Sequence, residues 1–156
     1  NQLRTGVGVD AHKFASDGPC RLVGLEWPEA NRLDGHSDGD AAVHAICDAV
    51  LSAAGLGDVG QVFGIDKPEW KGASGLQMIA HLRSLISEKS IHINNVSIQI
   101  VGNAPKISKR RDEAQQVLSE ALGAPVTIGA TTTDAMGFTG RGEGVFVIAN
   151  ALVQLP

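Results

Sequence analysis

The sequence predicts a single domain of the α/β (α+β) class, with a mixed sheet covered by helices on one face, and three observations lead to it. At 156 residues the chain suits one domain with a sizeable core, held together without disulfides or a structural metal. Segments with strand-like alternation interleave with segments whose apolar residues recur every three or four positions. The last apolar run, Gly144 to Val153, is apolar at odd and even positions alike, so both of its faces need cover.

Arg4 to Asp10 and Cys20 to Trp27 read as short strands, the first delivering Asp10 and His12 at its end. From Asp40 to Ala54, the residues Val43, Ile46, Cys47, Val50, Leu51 and Ala54 have the spacing of a buried helix face. Asp40, His44 and Asp48 form a separate stripe, so this helix can pack through one face and present His44 from another, just after the turn Ser37-Asp38-Gly39. A second helix runs from Ser74 to Glu88 with Leu76, Ile79, Leu82 and Ile86 inward, and Val96 to Val101 alternates like a half-buried strand. A third helix spans Lys109 to Leu122, with Ala114, Val117, Leu118, Ala121 and Leu122 apolar and Gly123 as its stop. Pro125 to Ala130 and Gly144 to Val153 complete a sheet of about five strands. Helices on one side leave the other side bare, and the doubly apolar last strand indicates that the bare side packs against copies of itself. The expectation is a homo-oligomer with sheets lining its centre.

The formal charge of −4 argues against nucleic acid as a partner, since its binders carry a basic patch. Cys20 and Cys47 are the only cysteines and lack CxxC spacing, which suits a reducing compartment, with Cys47 filling core. No apolar stretch approaches the roughly 20 residues of a membrane span, and no charged-then-apolar secretory pattern is present. A soluble cytoplasmic protein with no membrane partner is expected; the plastid stroma is the alternative if a targeting segment has been removed. The 19 glycines gather in clusters, Gly55 to Gly64 and Gly137 to Gly144, as backbone turns at a ligand site require.

Chemistry concentrates in Asp10-Ala11-His12 and in His36-Ser37-Asp38-Gly39-Asp40 followed by His44. Asp10, His12 and His44 offer a carboxylate and two imidazoles to one divalent metal. A structural zinc site is usually closed by four ligands and rich in cysteine, whereas a catalytic one keeps a vacancy. Any one of these histidines alone reads as structural; the combination reads as a metalloenzyme. Asp40 and Asp48 are placed to orient the imidazole of His44, or to serve a helix N-terminus and the surface. Ser37 and Asp38 also suit a helix cap.

The segments GVDAH, HSDGDAAVHAICDA, LGDVG, NAPK and ATTTDAMGFTGRGEG stand in an order and spacing that resemble the 2-C-methyl-D-erythritol 2,4-cyclodiphosphate synthase family over nearly the whole chain. The resemblance implies one cyclodiphosphate synthase domain over residues 1–156. It also implies a homotrimer with sheets packed around the threefold axis and active sites between subunits. The implied reaction is intramolecular: in 4-diphosphocytidyl-2-C-methyl-D-erythritol 2-phosphate, the 2-phosphate attacks the β-phosphate and expels CMP.

Residue by residue, the resemblance assigns Asp10, His12 and His44 to zinc or manganese, with Asp10 and His12 also close to substrate. His36 and Ser37 contact phosphate, and His36 and Thr132 stabilise the transition state. Asp58, Val59, Gly60 and Phe63 hold the methylerythritol. Gly102, Asn103, Ala104, Pro105, Lys106, Ile107 and Ser108 form the cytosine and ribose pocket, with Lys106 pairing phosphate. Ala130, Thr131, Thr132, Thr133 and Asp134 hold the cytidine diphosphate. Asp134 stands where a glutamate is expected; the shorter carboxylate is the candidate for a magnesium ion bound with the diphosphate. Phe138, Arg141 and Glu143 fall in the TGRGEG region, where a ring of arginines at the threefold axis would take phosphate or an isoprenoid diphosphate; pairing of Arg141 with Glu143 is the equal alternative.

Lys109, Arg110 and Arg111 read as a solvated basic entrance to the third helix. The segment from Gly64 to Lys67 departs from the FPDTD-like pattern of better-known members, leaves Asp66 only weakly assigned, and is expected to be mobile and fold over substrate. Two rival classes share the triad: a metal-dependent phosphohydrolase, and a non-enzymatic trimeric nucleotide-binding module. The length leaves no room for a fused cytidylyltransferase, so a monofunctional enzyme is expected.

Overall fold

Two glycines decide how the first helix meets the sheet. Strand β1, Gln2–Lys13, alternates its side chains, so Gly6, Gly8, Asp10 and His12 share one face. Helix α1, Ala41–Ala54, lies against that face so closely that a Cβ on Gly8 would collide with the Ala45 carbonyl and one on Gly6 with the Ala49 carbonyl. Since Gly8 meets Ala45 and Gly6 meets Ala49, α1 runs opposite to β1 and brings its first turn, with His44, to Asp10 and His12. The computed structural model describes residues 2–64 and 66–156.

The main sheet adds β4 (His92–Val101), β5 (Val126–Thr131) and β6 (Gly144–Leu155) in the order β1-β6-β4-β5. β6 is antiparallel to both β1 and β4, whereas β4 and β5 are parallel, so the sheet is mixed as expected. Phe146 lies opposite both Ala11 and Val101, and Val101 opposite Thr131. The carboxyl ends of β1, β4 and β5 therefore share one edge, where ligands of open sheets commonly bind. Helix α4, Arg111–Leu122, links β4 to β5 and covers β5, and α3, Gly75–Glu88, packs on α1 and α4. Gly123 closes α4 in the left-handed region, φ 76°, as its position after the apolar repeat predicts.

The expected strand Cys20 to Trp27 is instead a hairpin, β2 (Cys20–Leu22) and β3 (Leu25–Trp27), forming its own two-stranded sheet. The main sheet consequently has four strands instead of five. Val23 and Gly24 make the turn with φ 54° and 76°, the paired positive angles of a tight hairpin. A β-branched residue resists that conformation. It is held by Asp40, whose carboxylate accepts from the amides of Val23 at 3.0 Å and Gly24 at 2.8 Å while capping α1 through Ala42 and Val43. Short helices α2 (Val59–Phe63) and α5 (Gly137–Gly140) were not expected, because a single turn gives no periodicity to read.

On β6, Val145, Val147, Ala149, Ala151 and Val153 are buried toward the helices. The other face carries half-buried Phe146, Ile148 and Leu152 beside Leu3, Val7 and Val9 on β1, which are 61%, 58% and 51% exposed. The last strand thus has two apolar faces and only one of them is covered. No helix among the described residues is long and apolar enough to cross a membrane.

Candidate functional site

At the carboxyl end of β1, Asp10 Oδ2 lies 2.6 Å from His12 Nε2 and 3.0 Å from His44 Nδ1, and the two nitrogens are 3.2 Å apart. Each imidazole is oriented by its other nitrogen. His12 Nδ1–H donates to the Asp34 carbonyl, and His44 Nε2–H donates to Ser37 Oγ at 2.8 Å. The remaining nitrogen of each ring therefore faces the Asp10 carboxylate, the arrangement by which proteins fix metal-binding histidines. Ligand atoms around a tetrahedral ion at about 2.0–2.1 Å lie roughly 3.3 Å apart, close to what these three offer. Burial opposes the charge on Asp10, but the hydrogen bonds and charges of His12 and His44 outweigh it and hold the carboxyl below its usual range. Burial likewise opposes charge on His12, and its contact with Asp10 reverses the balance and raises its pKa. A cation suits a point where two imidazoles and a carboxylate converge, and among the described residues no other group of three or more such side chains does so.

These ligands open into a cavity of about 230 Å³ lined also by His36, Ser37, Val59, Phe63, Gly64, Trp70 and Met78. Nε2 of His36 is buried there without a partner among the described residues. Ser37 is committed to His44, and neither it nor Asp38 caps α1; the cap is Asp40. Asp38 accepts instead from the amides of Asp40 and Gly75. Asp40 and Asp48 do not orient the His44 imidazole. Asp40 is fully buried in its hairpin and cap role, where burial and the neighbouring Asp38 push its pKa up to about 6. Asp48 accepts from Val59 N at 2.7 Å and so ties α1 to the start of α2; burial raises its pKa.

Asp58 caps α2 through Gln61 N, and both Asp58 and Gly60 are exposed at the cavity's approach. Trp70 and Met78 line the cavity but carry no motif. Trp70 meets Phe63 edge to face at 4.7 Å and His81 at 4.9 Å, and an aromatic in an otherwise polar turn was the one available signal. In the divergent segment Asp66 is exposed, and Ile65 lies outside the described residues.

A second cavity, of about 190 Å³, lies at the ends of β4 and β5. It is lined by Gly102, Asn103, Ala104, Pro105, Lys106, Ile107 and Ser108 from one loop and by Ala130, Thr131 and Thr132 from the other, with Ile100 and Arg111. The Ala104–Pro105 peptide is cis, and Asn103 Nδ2 donates to the Gly140 carbonyl at 2.9 Å, tying the loop to α5. Lys106, Thr131 and Thr132 are exposed at the rim. Thr133 is drawn away by Met136 O and Thr139 Oγ1. Exposed Asp134 has φ 53° and lines neither cavity. Exposed Phe138 lies beyond both, and Arg141 pairs with Glu143 of its own chain.

The basic run before α4 is not a uniformly solvated entrance. Arg110 sits over the Trp27 ring at 4.8 Å, pairs with Glu113 at 2.8 Å and donates to the Glu26 carbonyl. Arg111, the first residue of α4, lines the second cavity.

A model of the YgbB family matches residues 3–154. The 2-C-methyl-D-erythritol 2,4-cyclodiphosphate synthase of Cutibacterium acnes is 50% identical over 153 residues, which cover 97% of this chain and 91% of the relative. The bifunctional enzyme IspD/IspF of Clavibacter michiganensis is 50% identical over 154 residues, 99% of this chain, so the chain spans 38% of that longer protein. Among solved structures, the CDP complex of IspF from Plasmodium falciparum superposes with a TM-score of 0.85 at 28% identity, covering 99% of this chain and 97% of the other.

Proposed function

The chain belongs to the YgbB family, and from that premise we propose that it converts 4-diphosphocytidyl-2-C-methyl-D-erythritol 2-phosphate to 2-C-methyl-D-erythritol 2,4-cyclodiphosphate and CMP, a lyase step of non-mevalonate isoprenoid precursor biosynthesis. An oxygen of the 2-phosphate forms a bond to the β-phosphorus, the bond from that phosphorus to the bridging oxygen breaks, and CMP leaves with the electron pair. One observation carries the reading beyond the likeness to relatives. The converging Asp10, His12 and His44 and the loop cavity around Pro105 open at the same edge of the sheet.

Asp10, His12 and His44 hold a divalent ion, zinc or manganese by donor type, which when bound supplies Lewis acidity toward a phosphoryl oxygen. His36, whose Nε2 has no partner among the described residues, and the Thr132 hydroxyl at the rim donate to phosphate oxygens and hold the charge that develops during in-line displacement. Lys106 pairs with phosphate, and the Gly102–Ser108 loop takes the nucleoside. Asp58 and the Gly60 amide hold hydroxyls of the methylerythritol, and Phe63, Trp70 and Met78 exclude water. Asp134 is the candidate for a magnesium ion accompanying the diphosphate, reached through its exposed turn.

β1 and β5 are three strand spacings apart, about 14 Å, so one chain separates its metal ligands from its nucleoside cavity. We propose a homotrimer in which the open sheet faces line the axis and the triad of one copy meets the cavity of the next. In that assembly Arg141, released from Glu143, faces a phosphate or isoprenoid diphosphate at the centre. The bacterial relatives favour a cytoplasmic location and lend no support to a plastid. Incubation with the substrate and magnesium, with and without chelator, tests the reading by CMP release and the phosphorus spectrum of the product. A cyclic diphosphate equal to CMP, abolished by chelation and restored by zinc or manganese, is expected. Inorganic phosphate would mean a phosphohydrolase, and CDP binding without turnover a nucleotide-binding module.

A further inference from the structure

We propose that Asp48 is a positioning residue for the reaction: its hydrogen bond to Val59 N sets the methylerythritol-binding turn of α2 at a fixed distance from the metal ligands. This rests on the functional reading above and names a residue that reading does not use. Asp48 lies four residues beyond His44 on α1, about 6 Å along the axis, so the two side chains share one stripe of the helix. Its half-buried carboxylate accepts from Val59 N at 2.7 Å. Among the described residues this is the one hydrogen bond that joins α1 to α2. A single rigid helix thereby carries a metal ligand and, one turn on, the anchor for Asp58 and Gly60.

The other bonds near that turn do not fix where it stands. The chain leaves α1 through Gly55 and Gly57, φ 72° and 96°, and the amides of Gly55 and Leu56 return to the end of α1 at Ser52 and Leu51. Exposed Asp58 caps α2 through Gln61 N, a bond internal to the turn. With Val59 N taken by Asp48 and Gln61 N by Asp58, Gly60 N is left without an acceptor among the described residues. That is the amide the functional reading gives to a methylerythritol hydroxyl. Asp48 therefore decides both where the turn stands and which amide it offers. The methylerythritol carries the attacking 2-phosphate, so its placement governs the approach to the β-phosphate, and misplacement by about 1 Å costs up to about a hundredfold in rate. The nucleoside cavity, three strands away, is not linked to this bond.

The test is steady-state kinetics on metal-loaded Asp48→Ala, Asp48→Asn and Val59→Pro, with CDP affinity by calorimetry and metal content read on the same preparations. Asp48→Ala should lower kcat by about tenfold to a hundredfold, with KM, CDP affinity and metal content little changed. Asp48→Asn keeps an oxygen acceptor for Val59 N and should recover most of kcat. Val59→Pro removes the donor instead, at a first helical position where proline is accommodated, and carries the same expectation if Asp48→Ala does not fold. Where both fold, the double variant should be no slower than the slower single one. Wild-type kcat in Asp48→Ala would overturn the proposal, and so would additive losses in the double variant. Asp48→Asn no faster than Asp48→Ala would overturn it too, since charge and not the hydrogen bond would then be at work. A matching loss of metal would do the same by placing the effect on His44. Folded, metal-loaded wild type that forms no cyclic diphosphate would overturn the functional reading first, and this inference with it.

Discussion

Replacing Gly8 with alanine should uncouple the metal ligands without touching any of them. The added Cβ would collide with the Ala45 carbonyl and lie 2.6 Å from Ala49 N and 2.8 Å from Asp48 Cβ, against 3.4 Å for ordinary contact. The first two obstacles are backbone, so no rotamer change relieves them and α1 must move from β1 by about 1.2 Å to restore ordinary contact with the Ala45 carbonyl. Overpacking of this kind costs about 1–3 kcal/mol, or roughly 2–12 °C in melting temperature for a domain of this size. His44 rides on α1 while Asp10 and His12 ride on β1, and their ligand atoms are 3.0 and 3.2 Å apart. The same displacement therefore opens the triad. Metal affinity should fall by about 10–100-fold, the usual effect of disturbing the groups that position ligands. Metal content after dialysis against a graded chelator, with a thermal melt, measures both. Wild-type metal retention and melting temperature together would refute the claim that this backbone contact sets the triad.

Ser37→Ala removes the acceptor for His44 Nε2–H and should lower metal affinity about tenfold or more with little change in stability; a matching loss of melting temperature would mean a structural role instead. Asp40→Ala strips four amides of their acceptor and should lower unfolding free energy by about 3 kcal/mol or more, read as a drop in the urea midpoint; an unchanged midpoint would contradict its role as staple. Thr132→Ala should reduce turnover more than CDP affinity, and equal losses would make it a binding residue only. Val9→Asp charges the bare sheet face and should yield smaller species in sedimentation, whereas unchanged mass would place the contact between copies elsewhere.

The long elements were legible because their periodicity runs over several turns or pleats: α1, α3, α4 and the strands of the main sheet differ from expectation mainly at their ends, and on α3 Leu76, expected inward, is exposed while Met78 is buried. The hairpin was not, since Val23 reads as strand and takes its positive φ only because Asp40, distant in sequence, receives its amide. The destinations of Asp40 and Asp48 were hidden for the same reason, because a carboxylate on a helix stripe looks alike whether it meets an imidazole, a turn or a neighbouring helix. Asp10, His12 and His44 could be read directly, because few other roles need those residue types at that spacing. Arg111 could not be told from Lys109 and Arg110 in a basic run; only the start of α4 separates a side chain lining the cavity from one clamped to Trp27.

The central claim is that triad and cavity serve one reaction although a single chain holds them apart. Complementation tests it directly. His44→Ala lacks a metal ligand, and Ala104→Trp fills the cavity, so each variant alone should be inactive. Co-expressed with different tags and purified through both, the mixed oligomers should regain measurable formation of cyclic diphosphate, because some sites take their triad from one variant and their cavity from the other. Mixed oligomers as inactive as either parent would contradict a centre assembled between copies.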